Sequence, residues 1–179
     1  MIYYIADIHF RDQVIFEKCK RPFNSMDEME EAIISNWNNR VTDDDLVYIL
    51  GDLGINEEAI EVYRKLKGQK HLIVGNHDIP LMEYIAKSNI FLSFKAMDFI
   101  TDGDKKVFLC HYPLMDWWNY NYGSYLVYGH IHNKNIANGL EYEQIKKYYE
   151  DKFAFNCGVD VTGFTPRTLE ELVEIKEGK

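Results

Sequence analysis

The 179-residue sequence predicts an α/β fold, a β-sheet covered on its faces by helices. Three features predict it. Short runs rich in Val, Ile, Tyr and Phe recur, nearly continuous in apolar residues, as strands buried on both faces require. Amphipathic segments with helix-start signals lie between several of them. One pair of runs, joined through Asp102-Gly103, has the pattern of a hairpin.

The elements follow in order. Ile2–Ala6 is the first strand. Ser25-Met26-Asp27-Glu28 has the form of a capping box, and Met29, Ile33 and Trp37 follow at helical spacing. Leu46–Leu50 is the second strand. A helix starts at Asn56 and stops near Gly68, with Ile60, Tyr63 and Leu66 on one stripe. His71–Val74 is the third strand, and a further helix follows Pro80. Lys95–Ile100 and Lys105–Cys110 form the hairpin, with Val107–Cys110 as its apolar part. Tyr125–Tyr128 and Phe153–Phe155 are the remaining strands. Between them Asn133–Lys152 reads as a polar loop and a short helix, Leu140–Tyr149. Thr168 caps a last helix, with Glu171 three residues on. Repeats, low-complexity tracts and Pro/Gly/Ser linkers are absent, so residues 1–179 are expected to form a single domain.

Composition narrows the function. With 20 Lys and Arg against 29 Asp and Glu, the formal charge is −9. A protein that grips long nucleic acid by bulk electrostatics carries a basic face instead. No apolar run approaches the ~20 residues that span a bilayer. The N-terminus has no basic region and meets Asp7 too early for a signal peptide. Cys19, Cys110 and Cys157 are scattered and read as free thiols of a reducing, cytoplasmic compartment.

The strand ends share a property. They run into Asp7-Ile8-His9, Gly51-Asp52, Gly75-Asn76-His77-Asp78, Cys110-His111 and Gly129-His130-Ile131-His132. Five of the six histidines stand there, and only His71 does not. In open α/β sheets ligands bind at that edge. Imidazole and carboxylate together suit Zn, Mn, Fe, Co or Ni. Asp7 and His9 are two apart, so on a strand they leave the same face, and His130 and His132 share that spacing. A carboxylate such as Asp52 has two oxygens and could bridge two ions. Glycine before each of three candidate ligands lets backbone turn sharply and approach closely.

In this order the five motifs resemble the calcineurin-like metallophosphoesterase superfamily. The likeness extends to its small single-domain bacterial and phage branch through Arg21-Pro22-Phe23, Asn36-Trp37-Asn38, His111-Tyr112-Pro113-Leu114, Asn156 to Val161, and Pro166 followed by Leu169-Glu170-Glu171. It implies a four-layer α/β/β/α sandwich, two mixed sheets packed face to face with helices outside. It implies one metal on Asp7, His9, Asp52 and His132, and a second on Asp52, Asn76, His111 and His130. His77 then faces substrate and Asp78 orients it. Where relatives in this branch often continue Asp-x-His-Phe-Gly-His, Phe10 is followed by Arg11-Asp12.

The expected reaction is hydrolysis of a small phosphoester or nucleotide, leaning to phosphodiesters. The cofactors are two divalent transition-metal ions (Mn, Fe, Zn, Ni or Co). A hydroxide bridging them is the nucleophile and His77 the general acid. Asn76, His77, Arg11 and Arg21 are the candidate substrate contacts. The alternatives are a phosphomonoesterase on the same site, a nuclease, and a non-catalytic scaffold of the same fold. Long nucleic acid and membrane are not expected partners, and oligomeric state is not legible.

Overall fold

The computed structural model describes residues 1–133 and 139–178. A first sheet holds β1 (Ile2–Ile5), β2 (Leu46–Ile49), β3 (Gln69–Ile73) and β4 (Ser93–Lys95), side by side in that order and all parallel. A second holds β5 (Met97–Asp102), β6 (Lys105–Cys110), β7 (Tyr125–Tyr128) and β8 (Ala154–Asn156). In it β5 runs antiparallel to β6, and the other pairs are parallel. The second sheet is thus mixed. The first is parallel in its strands, and among the described residues it gains an antiparallel partner only at the Tyr4–Arg167 bridge.

Among the described residues, seven α-helices accompany the sheets. They are α1 (Gln13–Lys18), α2 (Met26–Asn38), α3 (Glu57–Glu61), α4 (Met82–Ser88), α5 (Gly139–Tyr148), α6 (Val159–Thr162) and α7 (Leu169–Glu177). Alternation along each strand sorts the side chains into layers. Tyr3, Ile5, Val47, Ile49 and Leu72 face outward from the first sheet onto Met29, Ile33 and Trp37 of α2 and Ala59 and Ile60 of α3. Tyr4, Ala6, Tyr48, Leu50 and Ile73 face inward and meet Val107, Leu109, Val127 and Phe155 of the second sheet. Phe108, Cys110, Leu126 and Tyr128 face out on the far side, under Trp117 and Tyr149. This is the expected four-layer order. Leu169 and Leu172 of α7 join the inner core, so α7 closes one edge of the sandwich.

The caps form where expected, although at Ser25 the capping box is only half made, because the Glu28 carboxylate accepts from the Asn24 N–H. Ser25 accepts from the Glu28 N–H, Asn56 from the Ala59 N–H, and Thr168 and Glu171 form a reciprocal capping box. Several details differ. The strand expected from Lys95 to Ile100 is divided, because the chain leaves the first sheet at Lys95 and enters the second at Met97. Asp102 pairs with Lys105, so the hairpin turns on Gly103-Asp104, with Gly103 at φ 58°. The helix expected over Asn56–Gly68 is α-helical only to Glu61 and tightens to 3₁₀ over Val62–Lys65. Part of the expected Asn133–Lys152 loop, residues 134–138, lies outside the described residues. No helix among the described residues is long and apolar enough to cross a membrane.

The two sheets meet where β1 and β8 end. Ala6 donates to the Cys157 carbonyl at 3.0 Å and accepts from the Val159 N–H at 3.0 Å. The C-terminal ends of β1, β2, β3, β6, β7 and β8 therefore open onto one edge.

Candidate metal centre

Ladder-like hydrogen bonds carry the pairing past the strand ends. Asp7 donates to the Gly51 carbonyl, His9 to that of Asp52 and Gly129 to that of His111, at 3.0, 3.0 and 2.9 Å. Small size lets these loops close up. A Cβ on Gly51 would stand 2.6 Å from Gly75 backbone and from His111 Nδ1, and one on Gly129 would stand 2.6 Å from Ala6 Cβ. Asp7, His9, Asp52, His130 and His132 all hold positive φ, between 49° and 73°. Each costs about 1 kcal/mol or more, and such strain collects at functional sites.

These turns bring the side chains together. One donor atom each from Asp7, His9 and His132 falls within 4.8 Å of the others, and the same holds for Asp52, His111 and His130. Asp52 lies between the two groups. Its Oδ2 is 3.4 Å from His9 Nε2 and 3.5 Å from His111 Nε2. Asn76 Oδ1 is 3.1 Å from His111 Nε2, and His130 Nδ1 is 3.2 Å from the same atom. His77 stands exposed at the mouth, its ring edge-on to His9 with centroids 4.8 Å apart.

The hydrogen bonds fix which ring nitrogens point inward. His9 Nδ1 faces Asp12 at 3.2 Å, His132 Nδ1 faces Asp160 at 2.9 Å, and His111 Nδ1 faces the Leu50 carbonyl at 2.7 Å. Each of these partners accepts, so each ring holds a proton on Nδ1 and turns its Nε2 inward. His9 Nε2 is buried with no hydrogen-bond partner. A buried ring nitrogen with no partner, and His111 and His130 nitrogens face to face, fit a bound cation better than they fit one another.

The groups perturb one another. Burial works against the charged His9 imidazole, but its hydrogen bond to Asp12 and the close carboxylates of Asp52 and Asp7 push it up to about 9. Burial would raise Asp52, yet the close approach of the His9 and His111 imidazoles holds it far below the usual carboxylate range. Burial and the neighbouring His111 hold His130 below its ordinary value. Asp160 is also held low against its burial, by His132 and Arg21.

Three expectations need correction. Asp78 does not orient the His77 ring. Its buried carboxylate accepts from the N–H groups of Asp52, Leu53 and Gly75 at 3.0, 2.9 and 2.8 Å, tying two ligand loops together. Burial raises its pKa above the ordinary value. Asp78→Ala would strand these donors, each costing about 1–3 kcal/mol. The expected result is a large fall in melting temperature, read by thermal denaturation, far beyond what losing one surface carboxylate would cause.

Arg21, expected beside substrate, is buried and turned to the protein interior. It pairs with Asp160 at 3.0 Å and donates to the Asp7 and Ile8 carbonyls at 2.7 and 2.6 Å. Arg11, expected at a phosphate oxygen, is half-exposed with its guanidinium on Glu58 at 2.8 Å and near Glu30 at 3.7 Å. Sequence reading missed Asp12 and Asp160. Asp12 sits three residues after His9, and Asp160 follows the end of β8, so the strand-end rule applied there would have found it. His71, left aside, is indeed elsewhere, bonded to Ser93 at 2.8 Å and stacked on Tyr48.

Known proteins resemble this chain in sequence and in fold. An uncharacterized protein of Methanocaldococcus jannaschii is 31% identical over 183 aligned positions, which cover 99% of this chain and 93% of that one. The crystal structure of a protein of unknown function from Aquifex aeolicus superposes with a TM-score of 0.72 at 22% identity, covering 98% of each chain, so the fold is shared. The model of the calcineurin-like phosphoesterase superfamily domain matches residues 1–158, which include the five strand-end motifs. That match spans most of the chain, and the protein belongs to the calcineurin-like phosphoesterase superfamily.

Proposed function

We propose that this chain is a metal-dependent phosphoester hydrolase acting on small phosphodiesters or nucleotides. The observation that carries the reading is Asp52 Oδ2 set between His9 Nε2 and His111 Nε2, at 3.4 and 3.5 Å, where one carboxylate could serve two cations. Asp7, His9, Asp52 and His132 would hold one ion, and Asp52, Asn76, His111 and His130 the other. Such ions supply Lewis acidity at the phosphoryl oxygens and activate water at neutral pH. Asp7 and Asp52 offset part of that charge, so the locality stays positive within an acidic protein and draws in phosphate.

The chain's own groups would do the rest. Asn76, exposed beside His111, hydrogen-bonds a phosphoryl oxygen through its amide. His77 reaches over the same mouth and gives a proton to the departing alkoxide. The exposure of Asn76, His77 and Tyr112 supports the diester reading, since a second ester substituent can extend outward past them. Three buried cysteines that are in no disulfide among the described residues, Cys19, Cys110 and Cys157, support a reducing, cytoplasmic setting.

The deciding experiment assays the purified chain with Mn²⁺ on simple phosphomonoesters, phosphodiesters and 2′,3′-cyclic nucleotides. Faster turnover of diesters is expected. Preference for monoesters would favour the phosphatase alternative. Bound ions with no turnover would favour a scaffold.

Cation loading should depend on pH with a definite sign. Asp12, Asp52 and Asp7 push His9 up to about 9, so below that pH its ring is expected to be protonated and an ion must displace the Nε2 proton. Affinity should therefore rise by up to about tenfold per pH unit from pH 6 to 9 and then level off. Titration calorimetry in buffers of different ionisation enthalpy measures the released proton. Affinity that is flat over this range would contradict the assignment.

A further inference from the structure

The two halves of the cluster are backed differently, and this difference rests on the dimetal reading above. We propose that Asp12 and Asp160 are positioning residues that make the Asp7–His9–His132 end the high-affinity cation position, with Arg21 holding Asp160 in place. At that end each imidazole has a carboxylate behind it. Asp12 Oδ2 is 3.2 Å from His9 Nδ1, and Asp160 Oδ2 is 2.9 Å from His132 Nδ1. Each carboxylate accepts a hydrogen bond from Nδ1–H, fixes the ring and makes Nε2 a stronger metal ligand. His9 Nε2 is buried with no hydrogen-bond partner, and it faces this position.

Both carboxylates are themselves held. Asp12 caps α1, accepting from the Ile15 N–H at 3.1 Å. Asp160, with its side chain 1% exposed, takes Arg21 Nε at 3.0 Å and Nη2 at 3.2 Å. The same guanidinium donates to the Asp7 and Ile8 carbonyls. One buried cation thus locks Asp160, and through it His132, to the loop that carries Asp7 and His9. A cation entering there meets Asp7, Asp12 and Asp160 in addition to the shared Asp52, against the single charge of Arg21.

The other half has neither feature. His111 Nδ1 is backed by the neutral Leu50 carbonyl at 2.7 Å, Asn76 is neutral and exposed, and His130 is only half-buried. Its one carboxylate is Asp52. Weaker charge and greater access to water both favour exchange of an ion from this position.

Calorimetric titration of the chelator-stripped full chain with Mn²⁺ alone tests the proposal. Two binding steps separated by at least about tenfold are expected. Asp160→Asn and Asp12→Asn should each weaken the tighter step by about 10–100-fold and leave the weaker step nearly unmoved. His130→Ala should abolish the weaker step and spare the tighter one. A purely structural role would degrade both steps together, and that result overturns the proposal. Two indistinguishable steps in the wild type also overturn it, while leaving the metal reading standing. No Mn²⁺ binding at all would overturn both. Should Asp160→Asn fail to fold by circular dichroism, Asp12→Asn carries the test, since its side chain lies at the start of a six-residue helix without buried positions.

Discussion

Asp52→Asn is expected to lower cation occupancy and phosphoester turnover together, the latter by roughly 10³-fold or more, while the protein stays folded. The substitution keeps shape. An Asn oxygen can still accept the His77 N–H that Asp52 Oδ1 now accepts at 2.9 Å. An Asn amide in place of Oδ2 would donate towards His9 and His111, whose Nε2 atoms stand 3.4 and 3.5 Å away. Those bonds satisfy the two imidazoles without a cation, so the variant replaces the electrostatic centre by a neutral network. Thermal melting separates this from general damage, because the metal-free variant should unfold close to the metal-free wild type. Elemental analysis showing two ions retained in folded Asp52→Asn would remove the bridging role.

Much of this centre was legible because it depends on two simple regularities. Apolar bursts mark strands, and parallel strands present their C-terminal ends at one edge. Together they placed Asp7, His9, Asp52, Asn76, His77, His111, His130 and His132 at one edge before any coordinates. What escaped has physical reasons. Helix α1 buries none of its residues, so it has no apolar stripe to detect. Strand β4 is three residues long with an exposed Phe94 and Lys95, and its pattern merges with that of β5.

The supporting residues were harder still. Arg21 and Asp160 are 139 positions apart, and nothing local in either segment signals that they pair. Asp78 misled for another reason. The family resemblance implied that it orients His77, but neighbouring side chains in a tight turn leave in different directions. One projects into the mouth while the other turns back under the loops.

That separation sharpens what is expected of His77→Ala. The side chain is exposed, and its removal disturbs neither the Asp78 clamp nor the carboxylate-backed imidazoles, so both cation positions should load as in the wild type. Its backbone N–H, the group that holds Asp52, is retained by alanine. What disappears is the proton donor at the mouth. For a substrate whose leaving group is a poorly acidic alkoxide, turnover should fall by about 10²–10⁴-fold. For a nitrophenolate leaving group, which departs without protonation, the loss should be far smaller. The ratio of the two rates is the informative quantity, because a change in loading or folding would lower both equally. Equal losses on the two substrates would show that His77 supports binding and does not deliver the proton. An alkyl ester cleaved at the wild-type rate would place the acid elsewhere on this edge.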